Sequence, residues 1–219
     1  MRMLSMIYKR HWFGFLLGSA GWLLVHINAV VVGQPTITVH FLYGSKPAKG
    51  FEATEKRWFG GKRGGHVGIE WAPEQVLNFG PSGKFHWFSN HRNRHSQFTE
   101  RTVAETFGTL SRSEEKLQTM SIQIPVDSAK LNRLVDIRNR YLSNPPYDYA
   151  FFGMRCASAS DEILAKIGLT KQRSFWGTVF HTFRPRALRM RLLHKAEVYG
   201  WKVTRKTGSD HRIWEKDRR

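Results

Sequence analysis

The sequence predicts an α+β domain, an antiparallel β-sheet packed against helices, placed behind an N-terminal hydrophobic helix. Three observations lead there. Trp12 to Gly33 is apolar and uncharged, short alternating segments separated by proline and glycine turns follow from Thr36, and helical periodicity is confined to the second half.

The hydrophobic segment comes first. Arg2, Lys9 and Arg10 precede the uncharged run. A bilayer is crossed by ~20 apolar residues, so the run is long enough for a transmembrane anchor, and a signal peptide ending near Ala29 or Gly33 fits equally. The positive flank sends the following chain to the non-cytoplasmic side. Residues 1–33 are therefore expected to contact membrane through residues 12–33, and the protein is expected in the cell envelope, membrane-anchored, periplasmic or secreted.

The domain is expected over residues 36–205, with a basic tail over 206–219. Thr36 to Tyr43 alternates and is β-rich, and Gly44 to Gly65 is a basic loop. His66 to Trp71, Gln75 to Phe79 and Lys84 to Phe88 form a strand meander broken at Pro73 and at Gly80-Pro81-Ser82-Gly83. Asn90 to Arg112 reads as loop with a short helix, and Thr119 to Val126 as a strand. Asp127 or Ser128 caps a helix to about Leu142. Further helices are expected over Ser158 to Ile167, stopped by Gly168, and Arg186 to Lys195, with a last strand over Glu197 to Arg205.

The formal charge of +18 expects anionic partners, and Arg186, Arg189 and Arg191 are the candidates for an anionic surface. Nucleic acid is a competing partner, since Arg184 and Lys195 extend that basic stripe beside Trp176 and Phe180. The export signal argues against it, and no nucleic acid is expected. His86, His91 and His95 cluster in a polar stretch without a nearby carboxylate or cysteine. Neither a metal nor another cofactor is expected. Oligomeric state is not encoded legibly.

Chemistry concentrates in three places. Gly64-Gly65-His66 puts an imidazole at the start of a strand. Asn78 lies on the next strand, where a hairpin at Pro73 brings it beside His66, so that its amide can fix the ring's tautomer. Cys156, the sole cysteine, opens a helix, where the helix N-terminus and Arg155 favour thiolate. Each feature alone is commonplace, because single cysteines more often pack than react. Arg155, Tyr147 and Glu70 are assigned to the substrate-binding side, and Glu70 also competes with Asn78 as orienter because it shares the face of His66.

The runs His66-Val67-Gly68-Ile69-Glu70, Gln75-Val76-Leu77-Asn78 and Arg155-Cys156-Ala157-Ser158 together resemble the NlpC-type papain-like peptidases. With histidine ahead of cysteine, the order resembles the circularly permuted branch, which includes lecithin-retinol-acyltransferase-like enzymes. The resemblance spans about Thr36 to Leu169. It implies a permuted papain-like cysteine hydrolase with Cys156 as nucleophile, His66 as general base and Asn78 as orienting residue. It implies cleavage of an amide or ester bond in a cell-wall peptide or acyl-lipid substrate. Arg155 stands where members often carry Asn or Asp, and Glu70 where they are usually apolar or aromatic. The alternative from another class is a catalytically inactive papain-like binding module at a membrane or wall surface.

Overall fold

The computed structural model describes residues 34–42, 45–47, 65–84, 86–92, 94–108, 118–207 and 212–214. The expected segment at 1–33, most of the basic loop and the end of the C-terminal tail lie outside the described residues. Among the described residues no helix is long and apolar enough to cross a membrane.

The domain is α+β, built on an antiparallel six-stranded sheet packed with helices. In chain order the sheet strands are β1 (Thr36–Leu42), β3 (His66–Ala72), β4 (Gln75–Pro81), β6 (Ser96–Arg101), β7 (Thr119–Pro125) and β9 (Lys202–Lys206). Across the sheet they run β6-β4-β3-β1-β7-β9. Two small ribbons stand apart. β2 (Ser45–Pro47) pairs with β10 (Arg212–Trp214), and β5 (His86–Phe88) pairs with β8 (Ala150–Phe152). The helices are α1 (Val103–Gly108), α2 (Ser128–Ser143), α3 (Cys156–Lys166), α4 (Phe175–His181) and α5 (Pro185–Tyr199).

Strand alternation sorts the two faces. On β1, Ile37, Val39 and Phe41 are fully buried in the main core, with Val67 and Ile69 of β3, Leu77 and Phe79 of β4, and Met120, Ile122 and Ile124 of β7. Leu134 and Ile137 of α2, Ile163 and Leu164 of α3, and Leu188 and Leu192 of α5 complete it. Each such side chain contributes about 1.5–3 kcal/mol by leaving water. The other face of the same strands is polar. Register places His40 opposite Gly68 on one side and Ser121 on the other, while Gly68 also lies opposite Asn78. His40 bridges Ser121 Oγ at 2.8 Å and Glu70 Oε2 at 3.0 Å, and Phe107 of α1 stands edge-on to its ring at 5.4 Å.

Local signals explain most boundaries. Asp127 caps α2 by accepting from the Lys130 amide at 2.7 Å. Gly168 follows α3 at φ +80°, a conformation open to glycine. Four expectations are corrected. The 84–88 segment leaves the meander, and β5 pairs in parallel with β8 over residues 86–88. The stretch 90–112, expected as loop with a short helix, contains strand β6, which pairs with β4, ahead of the short helix α1. Helix α5 continues to Tyr199, so the last strand begins only at Lys202, and α4 forms in a stretch given no element. Finally, Arg186, Arg189 and Arg191 do not make an exposed basic stripe, because Arg189 is only 1% exposed and Arg191 is drawn inward to Asp161 of α3. Core positions Leu188 and Leu192 fix that orientation of α5.

Gly68 is placed by space as much as by sequence. A Cβ there would meet Val76 Cγ1 at 2.6 Å and Asn78 Oδ1 at 2.9 Å. Gly68→Ala is expected to cost about 1–3 kcal/mol of stability, as overpacking does, by pressing on Val76 and the Asn78 amide. Chemical denaturation checks it.

Candidate active site

The site forms where β3 begins and α3 begins. Gly65 holds φ +118°, a backbone conformation that a side chain resists, and turns the chain into β3 with His66 as its first residue. The hairpin at Pro73 and Glu74 folds β4 back alongside. Asn78 then lies diagonally from His66, and His66 Nε2–H donates to Asn78 Oδ1 at 2.8 Å. The amide cannot turn over without loss: its Nδ2 donates to the Val76 carbonyl at 2.9 Å and to Thr106 Oγ1 at 3.0 Å. That pins Oδ1 toward the ring and leaves Nδ1 of His66 for the thiol.

Cys156 enters from α3. The helix starts on a one-sided cap, in which Ser158 Oγ accepts from the Arg155 amide at 2.8 Å. This seats the Cys156 side chain against the start of β3, with Sγ 3.9 Å from the Gly65 carbonyl. Burial pushes the thiol pKa up. The hydrogen bond and charge of His66, the Val67 amide and the charge of Arg155 more than offset it, leaving Cys156 below the ordinary thiol range. Burial also works against protonated His66, but Cys156 and Asn78 outweigh burial and the repulsion from Arg101, so the ring's pKa lies above its usual value. The two shifts favour the same state, a thiolate beside an imidazolium.

Tyr149 was not legible as a site residue. Its hydroxyl hydrogen-bonds the Cys156 side chain and accepts from the Cys156 backbone amide. Burial and the neighbouring Cys156 charge hold it well above the ordinary phenol value, so it stays a neutral donor. A neutral hydroxyl held beside Cys156 by that first-turn amide is a donor of the kind that an oxyanion at a tetrahedral carbon requires. Only the three-residue strand β8 and the Tyr149–Met154 bridge bring it there, and neither leaves a periodic signal.

The other expected site residues lie elsewhere. Tyr147 is 5% exposed among Phe79, Phe98 and Tyr141 in the core, so it does not line a substrate path. Glu70 is turned to His40 and to the Glu74 amide, with its carboxyl held below the usual range by His40, and it makes no contact with His66 among those described. Arg155 donates to the Phe183 carbonyl and lies 3.8 Å over the Phe183 ring. It therefore bolts the start of α3 to the segment after α4, while its charge still favours thiolate. The His86 and His95 rings lie 4.6 Å apart and tilted beside buried Asp148, which accepts from the Asn90 and His95 amides and pairs with His86 at 2.6 Å. Among the described residues no group of three or more His, Cys, Asp or Glu side chains converges as a metal site would.

No family model, curated protein or solved structure matches this chain.

The assignment of orienter separates two variants. Asn78→Ala is expected to lower turnover about tenfold, the worth of ~1.4 kcal/mol of ring orientation. It should also destabilise by about 1–3 kcal/mol, since Thr106 and Val76 lose a buried partner. Glu70→Gln is expected to leave turnover unchanged. Steady-state rates of the two variants, measured side by side, check this.

Proposed function

We propose that the chain is a cysteine hydrolase of permuted papain-like type. Cys156 attacks the carbonyl of an amide or ester, and His66 holds the thiol proton and returns it to the leaving group. Asn78 keeps the ring in the tautomer that serves both steps, and the Tyr149 hydroxyl, released by the sulfur as its bond to carbon forms, donates to the oxyanion. Water then attacks the acyl-thioester with His66 as base and releases the acid. The observation that carries the reading is the line from pinned Asn78 through His66 to the thiol, with the thiol shifted toward thiolate. A cell-wall peptide or an acyl lipid is the proposed substrate, met on the non-cytoplasmic side of a membrane to which residues 12–33 direct the chain.

A second reading is a catalytically silent papain-like binding module. One observation favours it: Cys156 is 5% exposed. The readings separate by intact mass after brief exposure to activated esters and amides. The hydrolase accumulates one acyl group on Cys156 and turns over, whereas the silent module acquires none.

A further inference from the structure

At the other end of α3 from Cys156, α5 and the loop after α3 line an open cavity of about 410 Å³. Its wall carries Lys171, Arg173, Arg191 and Lys195, with His194 as a titratable fifth group. No acidic side chain lines the cavity among the described residues. Asp161 of α3, 1% exposed, pairs with two of these cations. Asp161 Oδ2 accepts from Thr182 Oγ1 at 2.6 Å and from Arg191 Nη2 at 2.9 Å, and Arg173 Nη1 lies 3.7 Å away. Lys195 Nζ is fixed on the Leu169 carbonyl at 2.8 Å, a neutral acceptor. Two of the four cations, Arg173 and Arg191, therefore face one carboxylate, and neither lysine has a carboxylate partner among the described residues.

Such a cluster costs free energy through mutual repulsion, in a partly buried setting where water screens it less. The donors are not used up internally either. Arg191 Nε and Nη1 are buried without a hydrogen-bond partner among the described residues. A concave cavity that gathers four cations, one of them a partly buried guanidinium, is matched by a multivalent anion. Its volume suits a small molecule or a head group and not a nucleic-acid strand, which needs an open groove. The aliphatic stems and Met190 leave part of the wall apolar, so the anion can carry an organic substituent.

We propose that this cavity binds a phosphate-bearing ligand with at least two negative charges, a diphosphate or a phosphomonoester. The site does not depend on the chemistry at Cys156. The cations of the loop and of α5 hold the phosphoryl oxygens, and Asp161 keeps Arg191 in place from behind.

Calorimetric titration of the full chain tests it, with pyrophosphate as one probe and short-chain, water-soluble phosphatidate as the other. Saturable one-to-one binding of either supports the site. Tighter binding of pyrophosphate indicates a soluble ligand, and tighter binding of phosphatidate a lipid head group. Lys171→Gln is expected to weaken binding about tenfold, and the Lys171→Gln, Arg173→Gln pair about a hundredfold, as loss of charge-assisted contacts does. Lys171→Arg is expected to retain binding, and Cys156→Ala to bind as the wild type does. Circular dichroism shows whether each variant is folded, and Lys171 lies on an exposed loop where substitution spares the core. The proposal is overturned if neither probe binds saturably. It is overturned equally if binding is indifferent to folded Lys171→Gln and the folded pair, since the anion then sits elsewhere on a basic chain.

Discussion

Cys156→Ala is expected to abolish turnover, by at least about 10⁴-fold, while the domain stays folded. The sulfur is the atom that forms the bond, and no other cysteine exists in the chain to take its place. Loss of one buried sulfur leaves only a small void among Tyr149, Gly65 and Val67, so the expected cost in stability is modest, about 1 kcal/mol. Steady-state assays and thermal unfolding, run on the same preparation, separate the two effects. Wild-type rates in the folded variant would end the cysteine-hydrolase account.

His66→Ala is expected to be nearly as severe. In the proposed mechanism the ring does two things, carrying the proton and stabilising the thiolate, and the substitution removes both. Groups that act as a unit are not additive, so the double variant His66→Ala, Cys156→Ala should be no worse than Cys156→Ala alone. The Asn78 carbonyl oxygen loses its ring partner, and a water can replace it. Addition of free imidazole is expected to restore part of the rate in His66→Ala and none in Cys156→Ala. A His66→Ala enzyme of full activity would remove the histidine from the mechanism.

Much of the fold was legible because the main strands bury one face in apolar layers. Ile37, Val39 and Phe41 alternate with Thr38 and His40, and the same rule reads β3, β4 and β7. The pairing of His66 with Asn78 followed from a short turn at Pro73, which fixes register locally. What failed depended on distant partners. β6 buries one large apolar residue, Phe98, and is recognisable only by its pairing with β4. β5 is assigned by β8, some sixty residues on. Val198 and Tyr199 look like strand residues, yet they are exposed on the last turn of α5, where packing at Leu192 and Ala196 decides the conformation.

The site divides in the same way. Cys156, His66 and Asn78 carry residue types and local contexts that mark them as a candidate site. Tyr149 does not, because a tyrosine comes beside the Cys156 side chain only once β8 and α3 have been folded around it. Tyr147 sits two residues away and fills the core instead, a choice that sequence spacing alone does not make. Glu70 shared a face with His66 as expected, but His40 of the neighbouring strand claims its carboxylate. Basic residues of α5 read as a surface stripe because their buried counterpart, Asp161, belongs to another helix.

The central claim is that Cys156 is held as a reactive thiolate by His66. The rate of alkylation by iodoacetamide, followed from about pH 4 to 10, reports this directly because Cys156 is the only thiol. The account predicts an apparent thiol pKa below the ordinary value of ~8.5, with reactivity persisting through neutral pH. It further predicts that His66→Ala moves the curve upward, since the charge that offsets burial is gone. A wild-type curve centred at or above the ordinary value, unmoved by His66→Ala, would contradict it.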